Sequence, residues 1–144
     1  MYTRILVPTD GSDISTKAVQ TACTLAKLCN AGLVFVSVKG PFPYSAISEM
    51  QPVPPQEYYD AQERMAAGWV NAAQAIALAE GVSCEGLTVE AMHPWEAIIE
   101  QAKTRGCDLI VMASHGRRGL SALLLGSETT RVLTHSPLPV LVVR

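Results

Sequence analysis

Charge is scarce in this chain, and what there is nearly cancels. Charged residues make up 17% of the 144 positions, with 11 Lys and Arg against 13 Asp and Glu, for a net charge of −2. A dedicated nucleic-acid binder is excluded, since phosphate recognition of that kind needs a basic stripe. Long hydrophobic runs are missing as well. No stretch approaches the roughly 18 apolar residues of a membrane helix. The opening Met1–Asp10 holds only Ile5-Leu6-Val7 before Pro8-Thr9-Asp10, which is not a signal peptide. A cytoplasmic chain with no membrane partner is expected. The four cysteines, Cys23, Cys29, Cys84 and Cys107, form no Cys-x-x-Cys pair. They read as small buried hydrophobes in a reducing cytosol, with a zinc site or redox pair as the alternatives. Internal repeats, charged blocks, a Walker A loop and a Gly-x-Gly-x-x-Gly turn are all absent.

Hydrophobic residues, by contrast, make up 49% of the chain, which excludes overall disorder. A chain of this length forms one domain and can bury about two-thirds of its unfolded surface. Four short apolar runs are continuous and rich in β-branched residues: Ile5–Val7, Leu33–Val38, Leu109–Met112 and Val140–Val143. Strands buried on both faces of a parallel sheet have this pattern. Val82–Glu90 mixes apolar and acidic residues and suits an edge strand.

Helical spacing fills the intervals. Ile14, Ala18, Ala22, Leu25, Ala26 and Cys29 recur at three- and four-residue steps, with Ser12 or Asp13 as cap and Asn30–Gly32 as stop. From Gln56 to Glu80, the residues Tyr58, Met65, Trp69, Ala72, Ile76 and Ala79 make a stripe expected to face the core. Pro94 opens a third helix with Trp95, Ile98, Ile99 and Ala102, closed by Gly106, and Thr130–Leu133 belongs to a last one. The order β-α-β-α-β-α-β-α-β implies a doubly wound α/β domain. One irregular stretch, Lys39–Gln56, carries five prolines and is either a lid, a partner surface or a plain connector.

In such a sheet the ligand crevice lies beyond the carboxyl ends of the strands. The first strand ends in Pro8-Thr9-Asp10-Gly11-Ser12, the second near Val38, and the fourth in Met112-Ala113-Ser114-His115-Gly116-Arg117-Arg118-Gly119. Asp10 could accept from ribose hydroxyls, hold a metal through water, or cap the following helix. Gly126-Ser127-Glu128-Thr129 precedes the last helix, whose N-terminus suits phosphate. The three histidines are scattered. His115 lies in the candidate loop as either a base or a structural residue, His93 precedes Pro94, and His135 sits in a last helical turn.

Together these segments resemble the universal stress protein family, of the single-domain UspA type, over residues 1–144. The resemblance rests on Ile5–Ser12, Asp108–Gly119, Leu124–Ser127 and Ser136–Val143. It implies a five-stranded parallel sheet in the order 3-2-1-4-5 with helices on both faces. The nucleotide-binding branch carries Gly-x2-Gly-x9-Gly-Ser/Thr, and here Gly116, nine residues, Gly126 and Ser127 fit while Ala113 stands at the first glycine. The resemblance implies ATP, with Mg held only through its phosphates. Asp10 would meet the ribose, Val38 the adenine through its backbone, and Met112 the base or ribose. Gly116, Gly126, Ser127 and Thr129 would hold phosphates, with Pro8, Thr9, Ala113, Arg117 and Glu128 completing the site. It further implies a homodimer through the terminal strand Val140–Val143, which would otherwise be a free apolar edge or lie centrally in the sheet. A protein partner in stress response would carry the output. The alternatives are a dimeric interaction protein that binds no nucleotide and a slow ATP hydrolase.

Overall fold

The computed structural model describes residues 1–41, 56–117 and 124–144. The Pro-rich Lys39–Gln56 segment, apart from its ends, and the Arg118–Gly119 pair lie outside the described residues. Five strands form one parallel sheet: β1 (Arg4–Pro8), β2 (Gly32–Lys39), β3 (Cys84–Glu90), β4 (Leu109–Ala113) and β5 (Val140–Val143), in the order β3-β2-β1-β4-β5. Among the described residues four helices lie between them: α1 (Asp13–Cys29), α2 (Gln56–Ala79), α3 (Pro94–Thr104) and α4 (Ser127–His135). No helix among the described residues is long and apolar enough to cross a membrane.

Three of the four continuous apolar runs, in β1, β2 and β4, are buried on both faces. Val140–Val143, expected to be buried likewise, exposes Leu141 and leaves Val140 and Val142 half-buried, because it lies at the sheet edge. Alternate residues serve opposite layers. Ile5, Val7, Leu33, Phe35, Leu109 and Val111 pack with α1 and α2, while Leu6, Val34, Val36, Ile110 and Met112 pack with α3 and α4. Full burial of one such side chain contributes about 1.5–3 kcal/mol. β3 is an edge strand, as its mixed composition predicts. β5 forms the opposite edge rather than an interior strand, leaving Leu141 40% exposed.

The helix boundaries have local causes. The Ser12 side chain caps α1 by accepting the Ser15 N–H at 3.2 Å, and Asn30 ends the helix in the left-handed region at φ 55°. Pro94 sits in the first turn of α3, where its missing N–H costs nothing.

The stripe expected to bury α2 is a correction. Ala66, Val70, Ala73 and Ala77 face the core, one position along from the Met65, Trp69, Ala72 and Ile76 series. Met65 is 48% exposed, Ala72 and Ala79 are exposed, and Tyr58, Trp69 and Ile76 are half-buried. The reason is steric. α2 lies so close to β3 that a Cβ built at Gly86 would overlap Val70 and crowd the Gln74 side chain. Val70 and the flexible Gln74 side chain fit over Gly86, the other buried positions of this face are alanines, and the large apolar side chains flank them.

Cys23 and Cys107 are buried, and Cys29 and Cys84 half-buried, all as free thiols. Burial pushes the Cys107 thiol up to about 11.

Candidate functional site

β1 pairs with β2 on one side and β4 on the other, so the chain leaves these two central strands in opposite directions. Their carboxyl ends therefore diverge, and a crevice opens between them. The turn Thr9–Ser12 follows β1, and Ser114–Arg117 follows β4.

Asp10 joins the two turns. Its Oδ1 accepts the Ser12 hydroxyl at 2.5 Å and the Ser12 N–H at 3.0 Å. Its Oδ2 accepts the Arg117 N–H at 2.6 Å. Burial pushes this carboxyl up, but the Ser12 and Arg117 hydrogen bonds outweigh it and hold the group below 3.8. Asp10 is thus ionised at neutral pH. It is not itself the helix cap. It orients Ser12, which is.

Two glycines shape the approach. A Cβ at Gly116 would stand 2.9 Å from Asp10 Oδ2, and one at Gly126 would stand 3.1 Å from His115 Cα. The Gly126 N–H donates to the Ser114 carbonyl at 2.8 Å, which draws the start of α4 against the end of β4. Gly126 is the N-cap of α4 and offers no side-chain cap. The first-turn N–H groups of Ser127, Glu128 and Thr129 precede any intrahelical acceptor. The open groove beside these turns has a volume of about 650 Å³ and is lined by Gly11, Ser12, Asp13, Ile14, Lys17, His115, Gly116 and Arg117.

Of the expected site residues, Gly116 and Arg117 line this groove and the others do not. Pro8 ends β1. Thr9 is buried, its N–H donating to the Val36 carbonyl at 2.9 Å and its hydroxyl 3.4 Å from Ser15 Oγ. Val38 lies half-buried in β2 beside Val89. Met112 and Ala113 are buried in β4. Ala113 pairs with Val143 as ordinary strand, without positive φ, so its methyl group imposes no backbone strain. Ser127 is exposed at the start of α4. Two side chains turn elsewhere. Thr129 donates its hydroxyl to the Ala113 carbonyl at 2.9 Å. Glu128 accepts the Trp95 N–H at 2.8 Å and so caps α3. His115 Nδ1 lies 3.2 Å from Ser114 Oγ, a loop contact.

One residue of this region was read from the sequence as core. The Arg117 guanidinium carbon lies 4.8 Å from the Trp69 ring centroid. Nothing in the spacing of α2 distinguishes Trp69 from a packing residue; only the approach of Arg117, distant in sequence, does so.

Comparison with known proteins places this arrangement in a family. The model of the Universal stress protein family matches residues 1–144. Universal stress protein MJ0531 of Methanocaldococcus jannaschii is 33% identical, over 100% of this chain and 83% of its own length. The solved structure of MJ0577, from the same organism, superposes with a TM-score of 0.83 at 28% identity, covering 99% of this chain and 96% of that one. A universal stress protein solved in complex with cAMP superposes with a TM-score of 0.74 at 31% identity, covering 99% and 97%. With the sheet order, the switch-point groove and these likenesses in agreement, the chain belongs to the universal stress protein family.

Proposed function

We propose that this universal stress protein binds ATP in the groove between the β1 and β4 turns and acts in the cytoplasm through protein contacts that depend on the bound state. The pair Gly116 and Gly126 carries this reading: a Cβ would stand 2.9 Å from Asp10 Oδ2 at the first and 3.1 Å from His115 Cα at the second, so the turns and the start of α4 come this close because both positions lack a side chain. The positive end of α4 opens onto the same region and suits phosphate. The relative solved with cAMP supports an adenine nucleotide as the ligand class.

In this reading Asp10, held ionised, accepts from the ribose hydroxyls with the lone pairs left by Ser12 and Arg117. The Val38 backbone meets the adenine and Met112 flanks it. Gly116, Gly126, Ser127 and the first-turn N–H groups of α4 hold the phosphates, and magnesium enters only with them. Thr129 serves by fixing α4 to β4, and Glu128 by fixing α4 to α3. A second copy is the partner favoured by the free β5 edge, with Leu141 exposed on it.

Isothermal titration with ATP and magnesium tests the reading. Saturable heat is expected in the parent, and at least tenfold weaker binding in Gly126→Val, whose added side chain would press on His115. Absence of heat and of thermal shift at millimolar ATP would overturn it.

A further inference from the structure

Both arms of the groove are held by one residue that is not among those lining it. Trp69, on α2, lies against Gly11. A Cβ built at Gly11 would fall on the indole Cδ1 and Nε1, far inside contact distance. Gly11 also takes φ +76°, so the turn after β1 is shaped by glycine for two reasons at once. The Arg117 guanidinium covers the same indole at 4.8 Å from the ring centroid. From there its Nε and Nη2 donate to the Asp10 carbonyl at 3.2 and 3.1 Å. Trp69 therefore touches the turn after β1 and the side chain that ties the turn after β4 to it.

We infer that Trp69 is a positioning residue of the nucleotide site: its indole fixes Gly11 and the Arg117 guanidinium together, so that the Asp10 carboxylate and the Gly116–Arg117 backbone face the groove as one unit. The inference rests on the nucleotide reading above. An exposed arginine left free would sample many rotamers. A flat aromatic face and a carbonyl oxygen restrict it to one arrangement, because guanidinium stacks on the ring while donating in its own plane. A lysine, or a ring too small to be reached, would not do both.

The test uses the full chain carrying Trp95→Phe, which leaves Trp69 as the only tryptophan of the two present. Trp69→Phe, Trp69→Ala, Arg117→Ala and the Trp69→Ala/Arg117→Ala double variant are titrated with ATP and magnesium. Trp69→Ala is expected to weaken ATP binding about tenfold, and Trp69→Phe less than threefold, since the ring face is kept. The double variant should lose no more than the worse single variant, as for two groups acting as one unit. Equal losses in the Phe and Ala variants, or additive losses in the double variant, would overturn the inference. A second measurement needs no nucleotide. Arg117→Ala should shift the Trp69 emission to longer wavelength, because water reaches the uncovered ring. Unshifted emission overturns the clamp whether or not ATP binds. A shift in a parent that takes up no ATP supports the clamp and overturns the nucleotide reading alone.

Discussion

Replacing Asp10 by Asn removes one charge while keeping the shape of the side chain. In the parent, Asp10 accepts from Ser12 Oγ at 2.5 Å, Ser12 N–H at 3.0 Å and Arg117 N–H at 2.6 Å. The amide oxygen of Asn can still serve Ser12. Its NH2 group then faces the Arg117 N–H, and two donors oppose each other. A hydrogen bond to a charged acceptor contributes about 1.5–3 kcal/mol. Solvent reaches this half-buried carboxylate, so we expect a loss of roughly 1–2 kcal/mol after screening. The pH dependence is the sharper signature. Burial raises the Asp10 pKa, but the hydrogen bonds from Ser12 and Arg117 together lower it by more, so the folded value lies below that of an ordinary aspartate. A depressed carboxylate stabilises the fold above its unfolded pKa of about 3.9 and loses that contribution as pH falls through the folded value. Urea denaturation of parent and Asp10→Asn should therefore differ fully at pH 6–7, and the two curves should converge below about pH 4. Subtracting the curves removes the titration of other carboxylates, such as Asp108, common to both. A difference that stays constant down to pH 3, or grows there, would refute the reasoning.

Thr129→Val should cost about 1–3 kcal/mol in urea denaturation, because the Ala113 carbonyl loses its 2.9 Å partner in a buried setting; Thr129→Ser should recover most of it. Cys107, with its thiol pushed up to about 11, should alkylate on the order of 100-fold more slowly at pH 8 than an ordinary exposed cysteine. Peptide mass spectrometry of a timed iodoacetamide reaction would show this, and labelling of Cys107 ahead of Cys29 would contradict it. If the second copy proposed above docks on the β5 edge, the parent should scatter light as a dimer and Leu141→Lys as a monomer; a monomeric parent, or a dimer that survives the change, would remove β5 as the interface.

The sheet was legible because burial on both faces leaves a direct mark on composition. Ile5–Val7, Leu33–Val38 and Leu109–Met112 could lie in few other settings. The helix ends were legible for a similar local reason: Ser12 and Pro94 act on backbone groups within one turn of themselves. The face of α2 was not. Counting hydrophobicity favours Met65 and Trp69, while close packing of Val70 on Gly86 turns inward the face that Val70 shares with Ala66, Ala73 and Ala77. Size decided that contact, and size matters only once the neighbour is known. Thr129 and Glu128 show the same limit within the candidate site. Both sit in the first turn of α4, yet one side chain serves β4 and the other serves α3.

Thus the sequence alone determined the class of fold, the edge character of β3, and the two loops that flank the crevice, since each follows from local pattern and from the right-handed winding of parallel strands. Tertiary structure alone decided that β5 is an edge, that Ala113 is unstrained, and that Asp10 is tied to Arg117 across 107 residues. It also decided that Trp69 braces a turn instead of filling the core. Each of these depends on which distant group comes within hydrogen-bonding or van der Waals reach, a short-range condition that only the packed chain satisfies.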